Sequence, residues 1–383
     1  MDCETLKCHH CSAEAGTTAA IYSLKSGVTS DCRPWNEKVR IFVCPSCSAV
    51  QAPINEAWRG SVEKIYRDYD TYAAAGGEEQ KVLDSDGMSS RSRVIVGWLA
   101  SLGLLAPRGE VLDVGCGRGA FLREFTGQFQ EWSLSGTEFD GRNARMLQEL
   151  PRFKGLQTAR FDKLSGEYDF ISMVHVLEHI ENPVACLEAL RRRVRNGALL
   201  LVQVPDWTEN PFALAIADHA THFTPAILER VARRAGWEPV ATPGQVVPKE
   251  LTLLARAGGD CTASKKAGEE VESRLDERLS WLRGVMRQMQ DLRQNAANFG
   301  IFGTAVAGTW LAGAPDMEVD FFVDEDPSRI GAKHLGIPIL SPGEVAEGSD
   351  VFVGMAPAVS KRLAGKYSGA PARFHAVKPL DAL

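Results

Sequence analysis

The sequence predicts an α/β protein, and three observations predict it. An apolar run from Glu110 to Val114 leads directly into Gly115, Gly117 and Gly119, after which Phe121 and Leu122 open a helical pattern. Strand-like and helix-like segments then alternate as far as about residue 257, the order expected of a parallel sheet with helices on both faces. Two Cys-x-x-Cys pairs, Cys8/Cys11 and Cys44/Cys47, mark a small module ahead of it. At 383 residues the chain exceeds one ordinary core, and it divides into residues 1–60, 61–109, 110–257, 258–295 and 296–383.

Composition narrows the function. A hydrophobic content of 44% with 24% charged residues is that of a soluble globular protein. The net charge of -6 supplies no basic field, so nucleic acid is not an expected partner. No apolar run is long enough for a membrane span. The opening Met-Asp-Cys-Glu-Thr lacks the basic and apolar parts of a signal peptide, so a cytoplasmic location is expected.

In residues 1–60 the two Cys pairs suit tetrahedral zinc, with Cys8, Cys11, Cys44 and Cys47 as ligands. Four thiolates leave no open coordination position, so the expected role is structural. The gap between the pairs, about thirty residues, is longer than a usual zinc ribbon and fits an inserted hairpin over Ala19 to Val43. His9, His10, Cys3 and Cys32 are possible substitutes as ligands.

The segment 61–109 carries Tyr66, Tyr69 and Tyr72. Tyr66 and Tyr69 stand at helical spacing and read as core anchors; Tyr72 is the candidate for contact with a substrate. Ser89 or Ser90 caps a helix from Arg91 to about Leu105.

The glycine turn gives backbone N–H groups close access to a ligand. Its spacing, G-x-G-x-G, departs from the dinucleotide fingerprint G-x-G-x-x-G. Val111-Leu-Asp-Val-Gly-Cys-Gly-Arg-Gly119 resembles motif I of the class I S-adenosylmethionine (SAM) methyltransferases. That resemblance implies a central Rossmann-like class I methyltransferase sheet. It implies a SAM site built from Asp113, Gly115, Cys116, Gly117 and Gly119. A second strand, Trp132 to Thr137, ends in Glu138 at roughly the 20-residue offset of a ribose-binding acid. Asp162 is the candidate near the adenine. Tyr168 to His179 resembles the Phe-Asp-x-Ile…Leu-Glu-His segment of small-molecule methyltransferases, which places His175 beside the cofactor and His179 toward substrate.

After the fifth strand, Ala198 to Val204, a long excursion ends in Asp218-His219-Ala-Thr-His222. Removing a proton from a hydroxyl or C–H acceptor needs a base, and imidazole titrates in the right range. His219 is the expected base, oriented by Asp218 or another carboxylate, with His222 as the alternate. Thr224-Pro225 caps the next helix.

Residues 258–295 read as a polar linker and one long helix. In 296–383, Gly300, Gly303 and Gly308 with strands ending near Val323 and Val353 suggest a C-terminal Rossmann-like α/β domain without a Walker lysine. The order of zinc module, SAM domain, long helix and Rossmann-like tail resembles the zinc-containing sugar C-methyltransferases. That resemblance implies a sugar or nucleotide-sugar acceptor. In that family a Tyr-His-Glu-His run carries the base; here the matching Ile216-Ala217-Asp218-His219 keeps the histidine, exchanges Glu for Asp and lacks the tyrosine. C-methylation and O-methylation of a sugar both stay open. The competing readings are a methyltransferase for another small metabolite and a non-catalytic SAM-binding scaffold.

Overall fold

The computed structural model describes residues 6–14, 19–69, 79, 81–84, 87–241, 244–258 and 270–380. Seven strands form the central sheet: β1 (Arg108–Val114), β2 (Glu131–Thr137), β3 (Phe153–Gln157), β4 (Tyr168–Val174), β5 (Val194–Pro205), β6 (Trp237–Pro239) and β7 (Glu250–Ala257). Their spatial order is β3-β2-β1-β4-β5-β7-β6. β1 to β5 run parallel, and β7 is antiparallel to both β5 and β6. The chain turns to opposite sides after β3, so a switch point opens between β1 and β4, where open α/β sheets bind ligands.

Alternation explains why β1 is central. Leu112 and Val114 pack into the core with Leu187 and Ile227, from the helices Pro183–Arg191 and Pro225–Arg234. Val111, on the opposite face of the strand, packs with Ile95, Phe121 and Phe125, from the helices Arg91–Leu102 and Ala120–Gln128. Both faces of the strand are therefore covered.

The helix after β2 is a short one, Ala144–Leu147, and ahead of it the Arg142 amide and guanidinium both turn back onto Asp140. β3 carries a register irregularity at Phe153/Gly155, which disguises its alternation.

The hairpin in the N-terminal module is present. Ile21–Leu24 pairs antiparallel with Val39–Val43, which pairs with Val50–Gln51. Val50–Gln51 then pairs with Thr221–His222, so the module's sheet ends on a strand from the excursion after β5. The tip of the hairpin, Gly27–Val28 with Pro34–Trp35, reaches Ala217, whose amide donates to the Val28 carbonyl. A Cβ on Gly27 would lie 2.4 Å from Val39 Cγ2 and 2.7 Å from the Ala215 carbonyl.

The long helix, Glu270–Asn295, buries Leu275, Leu279, Leu282, Val285 and Met289 in one core with Ile41, Phe212 and Phe299. It thus packs between the N-terminal module, the excursion and the C-terminal sheet. That sheet has a parallel body, Ile337–Leu340, Phe321–Val323, Phe299–Phe302, Asp350–Val353 and Arg373–Ala376 in that order. At its glycine turn, Arg329 donates to Thr304 Oγ1 and Thr304 donates to Asp324, so the chain's own groups engage one another there. Among the described residues, no helix is long and apolar enough to cross a membrane.

Candidate active site

The turn after β1 forms a narrow cradle. Gly115, Gly117 and Gly119 have φ of +68°, +52° and +79°, the left-handed region that side chains disfavour. A Cβ on Gly115 would also lie 2.5 Å from Val176 Cγ2. Gly119 precedes the helix Ala120–Gln128, whose first amides lack partners within the helix. Glu138, at the end of β2, receives hydrogen bonds from the Gly117 amide at 2.5 Å and the Phe139 amide at 3.1 Å. Burial raises its pKa above the ordinary carboxylate value.

Asp113 and Cys116 brace this turn from beneath. Asp113 is buried and accepts a bond from Ser172 at 2.8 Å, and desolvation pushes it up to about 8. Cys116 packs on Gly136, where a Cβ would come 2.6 Å from its sulfur. Gly136 leaves the room that this side chain occupies.

At the end of β4, His175 has φ +56° and sits between two acids, with Nδ1 3.2 Å from Glu178 and Nε2 3.0 Å from Glu250. Glu250 is also paired with Arg91 at 3.0 Å. Burial opposes a charge on His175, but Glu250 and Glu178 together outweigh it and the imidazole is pushed up to about 9. Glu250 is depressed to about 2, since Arg91 and His175 overcome its desolvation.

The next turn brings three histidines together. The His179 ring lies 4.8 Å from that of His219, which is 5.8 Å from that of His222. Asp218 is fully buried and stands beside His179, with Oδ2 3.3 Å from Nδ1. Its carboxylate also accepts from the Ser30 amide at 2.9 Å and the Ser30 hydroxyl at 2.5 Å. Burial disfavours the cationic form of His179, but the hydrogen bond and charge of Asp218 reverse the balance and raise its pKa. Burial, with His179 beside it, drives His219 well below the ordinary imidazole value.

The expected pairing is therefore corrected in part: Asp218 orients His179, not its sequence neighbour His219. His219 and His222 instead line a cavity of about 410 Å³ walled by Trp35, Trp58, Ser61 and Lys64. None of Gly115, Gly117, Gly119 or Glu138 borders that cavity. A run of rings links His179 to the cradle instead. Tyr66 meets His179 edge-on at 6.4 Å and stacks on Phe139 at 6.2 Å, and Phe139 follows Glu138. Tyr66 and Tyr69, read as core anchors, thus border the site: the helix Glu56–Arg67 ends at Tyr66's turn, and the Tyr69 hydroxyl lies 3.4 Å from that of Ser30.

His222 sits in the short strand that pairs with Val50, where burial lowers its pKa to about 3. Asp162 lies in a surface turn and pairs with Arg160 at 3.3 Å, so the site's hydrogen bonds do not include it. Tyr72 lies outside the described residues. Ser30, Arg91 and Glu250 were not assigned roles from sequence, and Tyr66 was read only as a core anchor.

A methyltransferase domain family matches residues 89–242. Residues 89–242 are a SAM-dependent methyltransferase domain. The chain is similar to a ubiquinone biosynthesis O-methyltransferase of Thiobacillus denitrificans, 25% identical over 186 residues, 43% of this chain and 78% of that protein. It is also similar to a trans-aconitate 2-methyltransferase of Deinococcus radiodurans, 25% identical over 187 residues, 47% of this chain and 69% of that one. Against ubiquinone biosynthesis O-methyltransferases of Cereibacter sphaeroides the match spans 63% of the relative's length. Among solved structures, a Burkholderia thailandensis 1,6-didemethyltoxoflavin-N1-methyltransferase superposes with a TM-score of 0.38 at 18% identity, covering 57% of this chain and 96% of that one.

The methyltransferase domain is joined to the Cys module. The four sulfurs of Cys8, Cys11, Cys44 and Cys47 lie within 4.8 Å of one another, with Cys8 to Cys47 at 3.6 Å and Cys11 to Cys44 at 3.7 Å. Tetrahedral zinc with bonds of about 2.3 Å needs sulfurs about 3.75 Å apart, so the donor set fits the ion. The two knuckles are built alike: Ser12 and Ser48 take φ of +63° and +60°, and their amides bond to the Cys8 and Cys44 carbonyls. Gln51 Nε2 donates to the Cys8 sulfur at 3.1 Å. Of the possible substitutes, His9 and His10 turn to the Thr221 hydroxyl, Cys32 lies in the hairpin tip, and Cys3 is outside the described residues.

Glu178, His179 and His219 also bring ligand-type atoms within 4.8 Å of one another. Two of these groups are already engaged, His179 by Asp218 and Glu178 by His175. We assign no metal there.

Proposed function

We propose that the protein transfers a methyl group from SAM to a small polar acceptor, a sugar or nucleotide-sugar, with His179 as proton acceptor. One observation carries this reading: the oriented pair His179–Asp218 and the Glu138 cradle share the carboxyl edge of the same sheet.

When bound, SAM supplies an electrophilic methyl group on a sulfonium whose sulfur is the leaving group. The chain has to hold the two reactants in line and remove a proton. Glu138 presents a carboxylate suited to a ribose diol, and the left-handed glycines let the backbone approach the ligand. Asp218 on Nδ1 leaves the other ring nitrogen of His179 to accept the proton of an O–H or C–H acceptor as the methyl bond forms. The buried carboxylate then stabilises the imidazolium. His175, held cationic between Glu178 and Glu250, is the better placed of the two to organise the cradle rather than take a proton.

The sugar assignment is supported by the order of zinc module, SAM domain, long helix and Rossmann-like tail. A second reading, another small carboxylate or phenolic metabolite, draws on the similarity of the domain to enzymes named for ubiquinone biosynthesis and trans-aconitate. A panel of nucleotide-sugars, free sugars and aromatic and carboxylic acids, incubated with SAM and read by mass spectrometry, separates the two. Gain of one methyl on a nucleotide-sugar supports the first reading; gain only on the acids overturns it.

A further inference from the structure

Ser30 stands 188 residues from Asp218 in sequence, yet it holds both oxygens of that carboxylate. Its amide donates to Oδ1 and its hydroxyl to Oδ2, the oxygen that faces His179. The loop that carries Ser30 is itself stiff. Thr29 donates to Asp31, Arg33 donates to both Asp31 oxygens, and the Cys32 amide closes on the Thr29 carbonyl. The loop is the tip of the hairpin whose returning strand, Val39–Val43, runs directly into Cys44. The zinc knuckle therefore anchors the strand that places Ser30.

We propose that Ser30 is a positioning residue of the methyl-transfer site, through which the zinc module completes that site by fixing Asp218 against His179. The inference rests on the His179 reading above. The Ser30 hydroxyl shares the negative charge of Oδ2 with His179. It thereby tempers the pull on the imidazole proton and limits how far the Asp218 charge raises the His179 pKa. The other titratable groups facing His179 are Glu178, the His219 ring and the Tyr66 ring; Asp31 and Cys32 lie on the Ser30 side of Asp218.

The test is the titration of His179 in the zinc-loaded full chain, followed by NMR of isotope-labelled histidine and assigned with His179→Ala. Ser30→Ala removes the hydroxyl but keeps the amide, so Oδ2 bears on His179 alone. The imidazole midpoint should rise by roughly 0.5–1 pH unit, the size of one hydrogen bond to a carboxylate. Ser30→Thr should restore the wild-type midpoint. Ser30→Cys, a poorer donor of similar volume, should give a smaller rise and serves if the alanine variant does not fold. A wild-type midpoint in Ser30→Ala, or in the cysteine variant read in its place, would overturn the proposal. Full turnover in His179→Ala would instead end the base assignment and leave the midpoint shift standing, so the two failures are distinct.

Discussion

Asp218 turns away from the histidine beside it in sequence and sets its carboxylate 3.3 Å from Nδ1 of His179. In the proposed mechanism that contact selects which of three neighbouring imidazoles serves as the base. His219 and His222 are buried and held neutral, whereas His179 is drawn toward the charged form.

It follows that His179→Ala should lower kcat by about 10²–10⁴-fold, the usual contribution of a general base. His219→Asn should cost less than about tenfold on the same scale. Release of the demethylated product from SAM, followed with an acceptor from the panel, measures both. Equal losses in the two variants would argue against the division of roles.

The pH dependence of turnover has a definite sign. A base must be unprotonated, so kcat should fall on the acid side, and the Asp218 pairing places that limb above the ordinary imidazole value. Asp218→Asn removes the carboxylate charge and should move the limb to lower pH, with a loss of kcat from the freed ring. A pH–rate profile of the variant and the parent reads this directly.

Stability should fall in acid through His222. Its folded pKa of about 3 lies below the unfolded value, so the unfolded chain binds a proton first as pH drops. The neutral form is fully favoured above the unfolded pKa of about 6.5, and the loss runs from there down to the folded value at about 1.4 kcal/mol per pH unit. Denaturant midpoints of wild type and His222→Phe at several pH values check it. The variant should show a slope reduced by about one proton.

Zinc should be needed for the hairpin that carries Ser30. Cys44→Ser is expected to lose one equivalent of bound zinc and to lower the unfolding temperature, because so small a module draws its folding energy from the metal. Metal analysis beside calorimetry separates ion loss from a local repacking.

Much of the fold could be read because its signals are local. The run into Gly115, the apolar β5 and the Thr224-Pro225 cap are each written within a few residues, and the parallel sheet follows from the alternation of elements. The four-Cys cluster was legible for the same reason, since each knuckle is a short self-contained turn. The active-site pairings were not. Ser30 meets Asp218, and Tyr66 meets His179, where the N-terminal Cys module and the helix after it pack against the loops beyond β4 and β5. No spacing in the chain encodes a contact formed by two distant loops. Adjacency even misled, because Asp218 and His219 point to different partners.

The most direct test of the account is a calorimetric titration of SAM into the zinc-loaded protein and its Glu138→Ala variant. The account predicts saturable binding by the parent and at least a tenfold weaker affinity without the carboxylate, as expected for a charge-assisted pair of hydrogen bonds. Equal affinity in the two proteins, or no binding by the parent, would contradict it.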